Sequence, residues 1–560
     1  MGELLRDLEV LALDCQASGA TPAHGDLLEL GWATCNGREG PRAVRSSWIM
    51  PRSERPVPRA VRELTGWAES CLADAVYERD AWGELFDAAS ARAGPGAMPT
   101  VIHFARFELT FLRDLHDRVR PESPFPLDVI CLHAVAARLL PDLPRRNIRA
   151  LAGYLGHAPE LVRRSAGHVE ATAFIWAALL PLLEERGISS WVELKAWLAR
   201  TSVGPRASKR SFPLPVERRR ALPDGAGVYR FLRRNGDVLY VGKATSLKKR
   251  VASHFKSRGP TNERALELLT QVHEVQHTET ATLLEAALLE TDEIKRLEPP
   301  YNVQLRALNR SAWFSDRDLR EAAPGFDAVH PIGPLPSERA LSGLGALVSL
   351  VAGAPPTPPV CAQALAVPSQ FLPTPELFEH GFREFAREHL SSPAATASRR
   401  VLRASLALWL ERGRSEPEVE ASADLEPDTW DLARVRRRLE RSLLQGGLLH
   451  RRASCLCWLV NSIVAFRDAG SDAPRALVFV DGQIVERLQL DEVAAIRQLA
   501  APALRLRVQR ANAFDAATYD RLRVLLTELH RVRESGGQVA LRVGCHTLAG
   551  ATLARLLRCV

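Results

Sequence analysis

Apolar residues recur along the first third of the chain with two different periods. Short apolar runs at 8–14 and 26–33 have the length and flanking turn residues of buried strands, and 100–105 is a third such run. A helical period follows at 108–119, and the longer apolar segment at 166–185 has the composition of a packed helix. Strands that alternate with helices in this way predict an α/β domain.

Two later changes in the pattern divide the rest of the chain. Serine, proline, arginine and lysine dominate 201–215, which is typical of a linker, and a compact unit follows it. Further on, mainly helical segments such as 430–449 and 516–533 enclose a hairpin whose turn is Asp481-Gly482. We therefore expect an α/β multidomain protein. Its segments are an α/β domain at 1–190, a basic linker at 191–218, a small α/β domain at 219–306 and a mixed α/β C-terminal domain at 307–560.

The overall composition restricts the class of protein. The chain has 560 residues, of which 46% are hydrophobic and 25% are charged, so it is neither a disordered polymer nor a single small domain. No apolar run approaches the roughly 20 uninterrupted residues of a membrane span. The first residues mix acidic with apolar side chains and lack the basic region that opens a secretory signal. We expect a cytoplasmic protein.

Positive charge is concentrated near the middle of the sequence. The formal net charge is +8, and the window 209–306 holds eighteen Lys and Arg against twelve Asp and Glu. All seven lysines lie between 195 and 295, although arginine supplies the positive charge elsewhere. A polyanionic partner such as DNA fits this distribution, and the lysine cluster indicates that some of these positions need a compact ammonium group.

The basic window contains side chains that are suited to holding a phosphate. A Gly-Asp turn between two tyrosine-bearing runs predicts a hairpin, which brings Tyr229 and Tyr240 to one surface. A helix is expected at 247–255, and its period places Arg250 and His254 on one face. Hydrolysis of a phosphodiester needs an activated water, a positive clamp on the non-bridging oxygens and stabilisation of the leaving oxygen. These residue types can supply all three.

Five motifs in this window follow one another in an order that is specific to a known family. They are Gly227-Val-Tyr229, Tyr240-Val-Gly-Lys243, Leu247-Lys-Lys-Arg250, Glu290 and Pro300-Tyr-Asn302. The window resembles the GIY-YIG nuclease domain of the excision-repair nuclease UvrC and of its shorter relative Cho. The resemblance implies that Glu290 binds one Mg²⁺ or Mn²⁺ ion, that Arg250 clamps the scissile phosphate and that Tyr229 is the general base.

The same resemblance implies supporting roles for other residues of the window. Tyr240, Lys243 and His254 would orient water and phosphate, while Asn302 would close the site by hydrogen bonding. One carboxylate can suffice for the ion, because Mg²⁺ commonly keeps several waters and accepts oxygens of the substrate phosphate. Three lysines are expected to bind DNA: Lys248, Lys249 and Lys256. The resemblance to UvrC stops at about residue 306.

A second set of motifs lies in the first α/β segment. They are Ala12-Leu-Asp14-Cys-Gln16, Asp26-Leu-Leu-Glu-Leu-Gly31, His103-Phe-Ala-Arg-Phe-Glu108, Leu127-Asp128 and Arg163-Arg-Ser-Ala-Gly-His168. This framework resembles the DEDDh 3′ to 5′ exonucleases, which have the RNase H-like fold of the proofreading subunit of replicative polymerases. The resemblance implies an RNase H-like fold for most of residues 1–190.

The catalytic positions implied by that resemblance are altered in this chain. Such enzymes hold two divalent ions with four carboxylates and use a histidine as general base. The four acid positions hold Asp14, Gln16, Glu108 and His168, and the base position holds Arg163. Two acids remain, and a guanidinium cannot deprotonate to act as a base. We expect a degenerate exonuclease site that does not hydrolyse DNA, although His168 and Asp14 could ligate a softer metal.

Three functions remain open from the sequence. The leading hypothesis is a metal-dependent DNA endonuclease of DNA repair, with incision by 219–306 and an inactive exonuclease-like domain. The second is a dual nuclease, because the exonuclease framework around Asp14 and Glu108 is well preserved. The third is a non-catalytic DNA-binding adaptor, which requires that the Glu290 site holds no metal. Partnership with UvrA- and UvrB-type repair proteins is implied by analogy alone.

Overall fold

The computed structural model describes most of the chain and divides it into two units. The described residues are 3–92, 96–157, 163–200, 211–256, 262–303, 305, 311–391, 396–412, 430–469, 473–500, 502, 509 and 511–557. The first, here the N-terminal unit, comprises Met1–Gly225, Tyr229–Glu279 and Pro299–Tyr301. The second, the C-terminal unit, comprises Ala226–Val228, Thr280–Glu298 and Asn302–Val560.

A five-stranded mixed sheet forms the centre of the N-terminal unit. Its strands are β1 (Val10–Ala17), β2 (Leu27–Cys35), β3 (Arg42–Trp48), β4 (Met98–Ile102) and β5 (Leu127–Cys131), in the order β3-β2-β1-β4-β5. β1, β2 and β3 pair antiparallel, whereas β4 and β5 continue the sheet in parallel. Successive side chains of β1 point to opposite faces, so Leu11 and Leu13 enter one apolar core while Val10 and Ala12 enter another.

Helices pack on both faces of this sheet. Those described are α1 (Arg59–Thr65), α2 (Glu78–Arg92), α3 (Ala105–Val119), α4 (Leu132–Leu139), α5 (Ile148–Leu155), α6 (Ser165–Glu184) and α7 (Trp191–Ala199). α6 packs on β1 and β2 and contributes Ile175, Trp176 and Leu179 to the core. Among the described helices, α6 alone is long and apolar enough to cross a membrane, and 50% of its apolar window is buried inside the protein.

A three-stranded sheet, most of which belongs to the N-terminal unit, carries the tyrosine-bearing motifs. Its elements are α8 (Val216–Arg220), β6 (Gly227–Leu232), β7 (Val238–Ala244), α9 (Leu247–His254), α10 (Glu263–Gln271) and β8 (Glu274–Glu279), with strand order β7-β6-β8. The Ser246 hydroxyl accepts from the Lys249 amide and so caps the start of α9. Leu247 and Val251 of α9 pack in one apolar cluster with Phe231 of β6.

Helix α10 packs closely on α5 within the N-terminal unit. Asn147, which caps α5, donates from Nδ2 to a carboxylate oxygen of Glu267 at 2.6 Å. A Cβ atom added at Gly153 would lie 1.9 Å from Oε1 of Gln271, so the two helices approach at a position that has no side chain. The helix of the small sheet is therefore held against the larger α/β fold.

The C-terminal unit contains a further helix-rich layer and a second large sheet. Its elements are α11 (Leu283–Leu297), β9 (Trp313–Ser315), β10 (Ala322–Pro324), β11 (Ile332–Leu335), α12 (Ser342–Val351), α13 (Pro358–Leu365), α14 (Pro375–His389), α15 (Ala397–Arg412), α16 (Leu432–Leu459), β12 (Ser462–Arg467), β13 (Arg475–Val480), β14 (Gln483–Gln489), α17 (Ala516–Glu534), β15 (Gln538–Val543), β16 (His546–Ala549) and α18 (Gly550–Leu557). One sheet has the order β10-β9-β11 and the other β14-β13-β12-β15-β16. The larger sheet pairs antiparallel throughout.

The predicted α/β multidomain class is confirmed, and some predicted element ends are wrong. α3 begins at Ala105, before the expected start at 108. α16 continues to Leu459 rather than ending at 449, because its buried face continues through Leu456. The hairpin turn is confirmed, since Asp481 and Gly482 have φ values of 50° and 75°. The expected domain boundaries stay predictions.

Candidate active site

The hairpin of β6 and β7 brings two tyrosines together. Tyr229 lies on β6 and Tyr240 on β7, and their ring centroids are 6.0 Å apart. Tyr229 is fully buried, whereas Tyr240 is half-buried. A Cβ atom at Gly242 would lie 2.6 Å from the Tyr229 hydroxyl, so this position of β7 must lack a side chain. The two phenols thus face one surface, as the turn predicted.

Helix α9 brings a histidine and an arginine to the same tyrosine. The Tyr229 hydroxyl lies 2.8 Å from Nε2 of His254. Arg250, one turn earlier on α9, is exposed and lies close enough for its charge to lower the pKa of this hydroxyl. The three side chains therefore form one polar group at the edge of the small sheet.

Burial sets the protonation states of this group. Burial, followed by the Arg250 charge, lowers the pKa of His254 to about 4, so its imidazole is neutral at neutral pH and Nε2 can accept a hydrogen bond. Burial, and then Tyr240, raise the pKa of Tyr229 above its usual range, while Arg250 opposes this change. Tyr229 is consequently a neutral phenol that needs a nearby cation before it can act as a base.

The lysines of the window differ in exposure. Lys248, Lys249 and Lys256 are exposed, whereas Lys243 on β7 is half-buried. The Lys249 ammonium lies 3.9 Å from Asp224, a pair too exposed to hold the lysine firmly. The exposed ammonium groups can reach a polyanion without leaving water, which suits contacts with a phosphate backbone.

The last two residues of the expected endonuclease site belong to the C-terminal unit. Glu290 lies on α11 and is half-buried, and Asn302 follows this helix and is buried. A half-buried carboxylate is a suitable oxygen ligand for Mg²⁺ or Mn²⁺. The structure groups the tyrosines, the arginine and the histidine. That Glu290 and Asn302 join this group stays a prediction.

Helix α11 is held by charged residues that the sequence analysis did not single out. Three ion pairs join it to later parts of the C-terminal unit: Glu285 with Arg475 at 2.5 Å, Asp292 with Arg521 at 2.7 Å and Lys295 with Asp520 at 2.6 Å. Of these six residues, the sequence pattern pointed only to Lys295, as a member of the lysine cluster. No local sequence pattern links the partner residues on β13 and α17 to this helix.

Two acids of the exonuclease-like site survive, and each hydrogen-bonds a neighbour within the protein. His168 of α6 lies 2.9 Å, through Nδ1, from Oδ1 of Asp14 on β1. Glu108 of α3 is buried and accepts a hydrogen bond of 3.0 Å from the Cys15 amide. Burial, and then the Asp14 charge, raise the pKa of Glu108 well above its usual range, so Glu108 tends to keep its proton.

The other altered positions occupy the same pocket of the N-terminal unit. Gln16 is buried and donates from Nε2 to the Arg163 carbonyl at 2.6 Å. Among the described residues, Oδ2 of Asp14 and Oε1 of Gln16 are buried without a hydrogen-bond partner. The structure therefore joins Asp14 to His168 and Gln16 to the backbone of Arg163. Their donor set does not fit two divalent ions, because it offers too little negative charge.

Comparison with known proteins identifies the family of the central window. Residues 225–303 match the model of the UvrC-like GIY-YIG domain. A protein of Mycobacterium tuberculosis (strain CDC 1551 / Oshkosh), whose name describes a bifunctional exonuclease/endonuclease, is 26% identical over 365 residues, which are 62% of this chain and 53% of that protein. The UvrABC system protein C of Rhizobium meliloti (strain 1021) is 51% identical over 85 residues, which are 15% of this chain and 12% of that protein.

A solved structure resembles the same window. The crystal structure of the GIY-YIG N-terminal endonuclease domain of UvrC from Thermotoga maritima, bound to its catalytic divalent cation magnesium, is 30% identical. The match covers 16% of this chain and 93% of the Thermotoga maritima chain, with a TM-score of 0.14. The chain spans about half the length of the Mycobacterium protein and a smaller share of the Rhizobium protein. The predicted UvrC-like GIY-YIG nuclease domain, fused to an exonuclease-like segment, is confirmed.

Proposed function

We propose that this protein is a DNA-directed, divalent-metal-dependent endonuclease of DNA repair, which cuts phosphodiester bonds with its GIY-YIG residues. The observation that carries the proposal is the hydrogen bond between Tyr229 and His254, with the Arg250 charge close to the same hydroxyl, inside the residues that match the UvrC-like domain. A cytoplasmic location and substrate handover from UvrA- and UvrB-type proteins belong to the same proposal, by analogy with the UvrABC relatives.

The geometry supports separate roles for charge and for proton transfer. The exposed Arg250 guanidinium can clamp the non-bridging oxygens of the scissile phosphate. Tyr229, once ionised, would take a proton from the attacking water, and the neutral His254 at 2.8 Å orients the tyrosine oxygen by hydrogen bonding. In this proposal Tyr240 and Lys243 orient the water and the phosphate.

Glu290 is the proposed ligand of one Mg²⁺ or Mn²⁺ ion, and Asn302 is proposed to close the site. A single half-buried carboxylate fits this role, because Mg²⁺ is commonly held by one or two carboxylates, several waters and the substrate phosphate. When bound, the ion supplies positive charge that stabilises the phosphate oxygens and favours ionisation of Tyr229. Lys248, Lys249 and Lys256 are proposed to bind the DNA backbone.

Nicking of supercoiled DNA by the full chain tests this function. Glu290→Ala and Arg250→Ala are each expected to lower the rate by at least about 10²-fold, since each removes charge stabilisation of the transition state. Lys248→Ala is the matched control, because it removes an exposed cation from the same helix and should weaken DNA binding with little effect on the rate at saturating DNA. Wild-type nicking by either folded alanine variant would refute the proposal.

We further propose that the exonuclease-like site is inactive and serves to bind DNA ends or to support the endonuclease. The contact of His168 with Asp14 and the buried Glu108, which tends to keep its proton, support this, because together they leave too little negative charge for a pair of dications. A working exonuclease, and hence a dual nuclease, is the second candidate. It is favoured by the two buried oxygens of Asp14 and Gln16 without hydrogen-bond partners among the described residues, and by the name of the Mycobacterium relative.

A further inference from the structure

We propose that the C-terminal fold is the scaffold that positions the catalytic carboxylate. Through Arg475, Asp520 and Arg521 it holds helix α11 and thereby fixes the orientation of Glu290. The inference rests on the proposed function of Glu290 and assigns a role to residues 307–560, for which the sequence indicated none. Arg475, Asp520 and Arg521 are positioning residues, since they act on the reaction through α11.

The three ion pairs that hold α11 are largely withdrawn from water. The Lys295 and Asp520 side chains are 9% and 3% exposed, and they meet at 2.6 Å. The Arg521 side chain is 9% exposed, and its Nη1 also donates to the carbonyl of Gly482 at 3.0 Å. A buried arginine with two partners has one favoured position, so it fixes the turn of α11 that carries Asp292.

Apolar contacts reinforce the charged ones. Leu284 and Leu288 of α11 are buried in the same core as Leu522 and Leu525 of α17 and Phe479 of β13. Helix α11 packs along α17, the helix that also supplies Asp520 and Arg521. The helix with the catalytic glutamate is thus a structural element of the C-terminal core.

The anchoring residues and Glu290 lie on opposite sides of α11. The anchoring residues are Leu284, Glu285, Leu288, Asp292 and Lys295. At about 100° per residue they share an arc of about 100°, and Glu290 lies about 190° from the middle of that arc. The C-terminal fold can therefore hold the helix firmly without occupying the face that carries the carboxylate.

Small rotations of α11 are sufficient to affect catalysis. A rotation of about 20° moves the end of a side chain, roughly 6 Å from the helix axis, by about 2 Å. A misplacement of about 1 Å at a reacting centre can cost about 10²-fold in rate. Three ion pairs spread from Glu285 to Lys295 resist such a rotation along most of the helix.

Point variants of the full chain test the scaffold. Arg521→Gln and Arg475→Gln each remove one anchor of α11. Arg531→Gln is the matched control, because Arg531 lies on the same helix as Arg521 but pairs with Glu528 of that helix at 2.6 Å. The measurements are Mn²⁺ binding by calorimetry, the Mn²⁺ concentration for half-maximal nicking, kcat and KM for DNA, and the fraction of folded protein by circular dichroism.

For the two anchor variants, the Mn²⁺ concentration for half-maximal nicking is expected to rise about tenfold and kcat to fall about 10- to 100-fold. Losses of this size are typical when a group that orients a metal ligand is removed. The KM for DNA should change less than about twofold, because the exposed cations that contact DNA are unaltered. The control variant should match wild type in all four measurements.

The scaffold proposal is overturned if both anchor variants bind Mn²⁺ and nick DNA as wild type does. It is also overturned if the nicking activity of these variants falls only in proportion to the fraction of folded protein and the Mn²⁺ concentration for half-maximal nicking does not change. That result would show that the substitutions reduce stability alone. If Arg521→Gln does not fold, Asp292→Asn replaces it, because this change removes the same ion pair at the partner whose side chain is 37% exposed. The scaffold proposal is then overturned by either of the two outcomes just given, observed for Asp292→Asn.

One further variant separates failure of the scaffold from failure of the proposed function. Glu290→Ala should abolish Mn²⁺ binding and nicking if the function is right. If Glu290→Ala behaves as wild type, the proposed function itself is wrong and the inference falls with it. If Glu290→Ala abolishes both activities while Arg475→Gln and Arg521→Gln change neither, the scaffold proposal alone is wrong.

Discussion

The hydroxyl of Tyr229 lies 2.8 Å from Nε2 of His254, and this contact joins strand β6 to helix α9. The imidazole is neutral at neutral pH and the phenol is protonated, so the tyrosine can donate this hydrogen bond to Nε2. The Arg250 charge lies close enough to the tyrosine to lower the pKa of its hydroxyl. A phosphate clamped by this arginine would therefore lie beside the pair.

Removal of the phenol oxygen should stop the chemistry without disturbing DNA binding. We expect Tyr229→Phe to lower kcat for nicking by about 10²- to 10⁴-fold, the usual contribution of a general base. The dissociation constant for DNA, measured by fluorescence anisotropy, should stay unchanged. Tyr77→Phe removes the same atom from an exposed tyrosine and is the matched control. A Tyr229→Phe protein with wild-type kcat would exclude the tyrosine as the base.

The half-buried His254 should make the stability of the protein depend on pH. The pKa of His254 is about 4 in the folded protein, below its ordinary value of about 6.5, so the unfolded chain binds more protons between these two values. The stability contributed by the neutral imidazole is present above about pH 6.5 and is lost as the pH falls towards 4. The loss is roughly 3 kcal/mol in full.

His254→Gln tests this dependence, because glutamine does not titrate. Urea unfolding, followed at several pH values between 4 and 7, should give a free energy of unfolding that falls less steeply for the variant than for wild type. His24→Gln, at an exposed position, should leave the wild-type slope unchanged. Equal slopes for wild type and His254→Gln would show that the histidine is not buried as described.

The contact between α5 and α10 predicts opposite effects of one substitution at two glycines. Gly153→Ala should lower the free energy of unfolding by about 1–3 kcal/mol, because its Cβ would strike Gln271, whose amide is held by Arg233 and Tyr301. Gly83→Ala, in a helix position with open space, should stabilise by up to about 1 kcal/mol. Thermal unfolding of both variants checks the signs. A stabilising effect at Gly153 would contradict the close helix packing.

The exonuclease-like site should release no nucleotides from DNA ends. We expect the full chain with Glu290→Ala, a change predicted to remove endonuclease activity, to leave 3′ end-labelled DNA intact in Mg²⁺ or Mn²⁺. Adding Asp14→Ala to this chain should change nothing, because a site with Gln16 and His168 in place of two acids has too little negative charge for two divalent ions. Release of mononucleotides that disappears with Asp14→Ala would establish the dual nuclease instead.

Local patterns in the sequence determined much of the endonuclease site. The turn between β6 and β7 predicted that Tyr229 and Tyr240 would lie together, and the helical period predicted that Arg250 and His254 would share a face of α9. Both predictions depend on neighbours within a few residues, where strand pairing and helix geometry leave few alternatives. The RNase H-like and GIY-YIG resemblances followed from motifs of the same local kind.

Only the tertiary structure decided the electrostatic state of these groups and the anchoring of helix α11. The neutral His254 and the raised pKa of Glu108 follow from burial, which depends on the whole fold around each side chain. The partners of α11 are 190 and 229 residues away along the chain, in the pairs of Glu285 with Arg475 and Asp292 with Arg521. No periodicity links residues so distant, because their contact is produced by packing of the completed core.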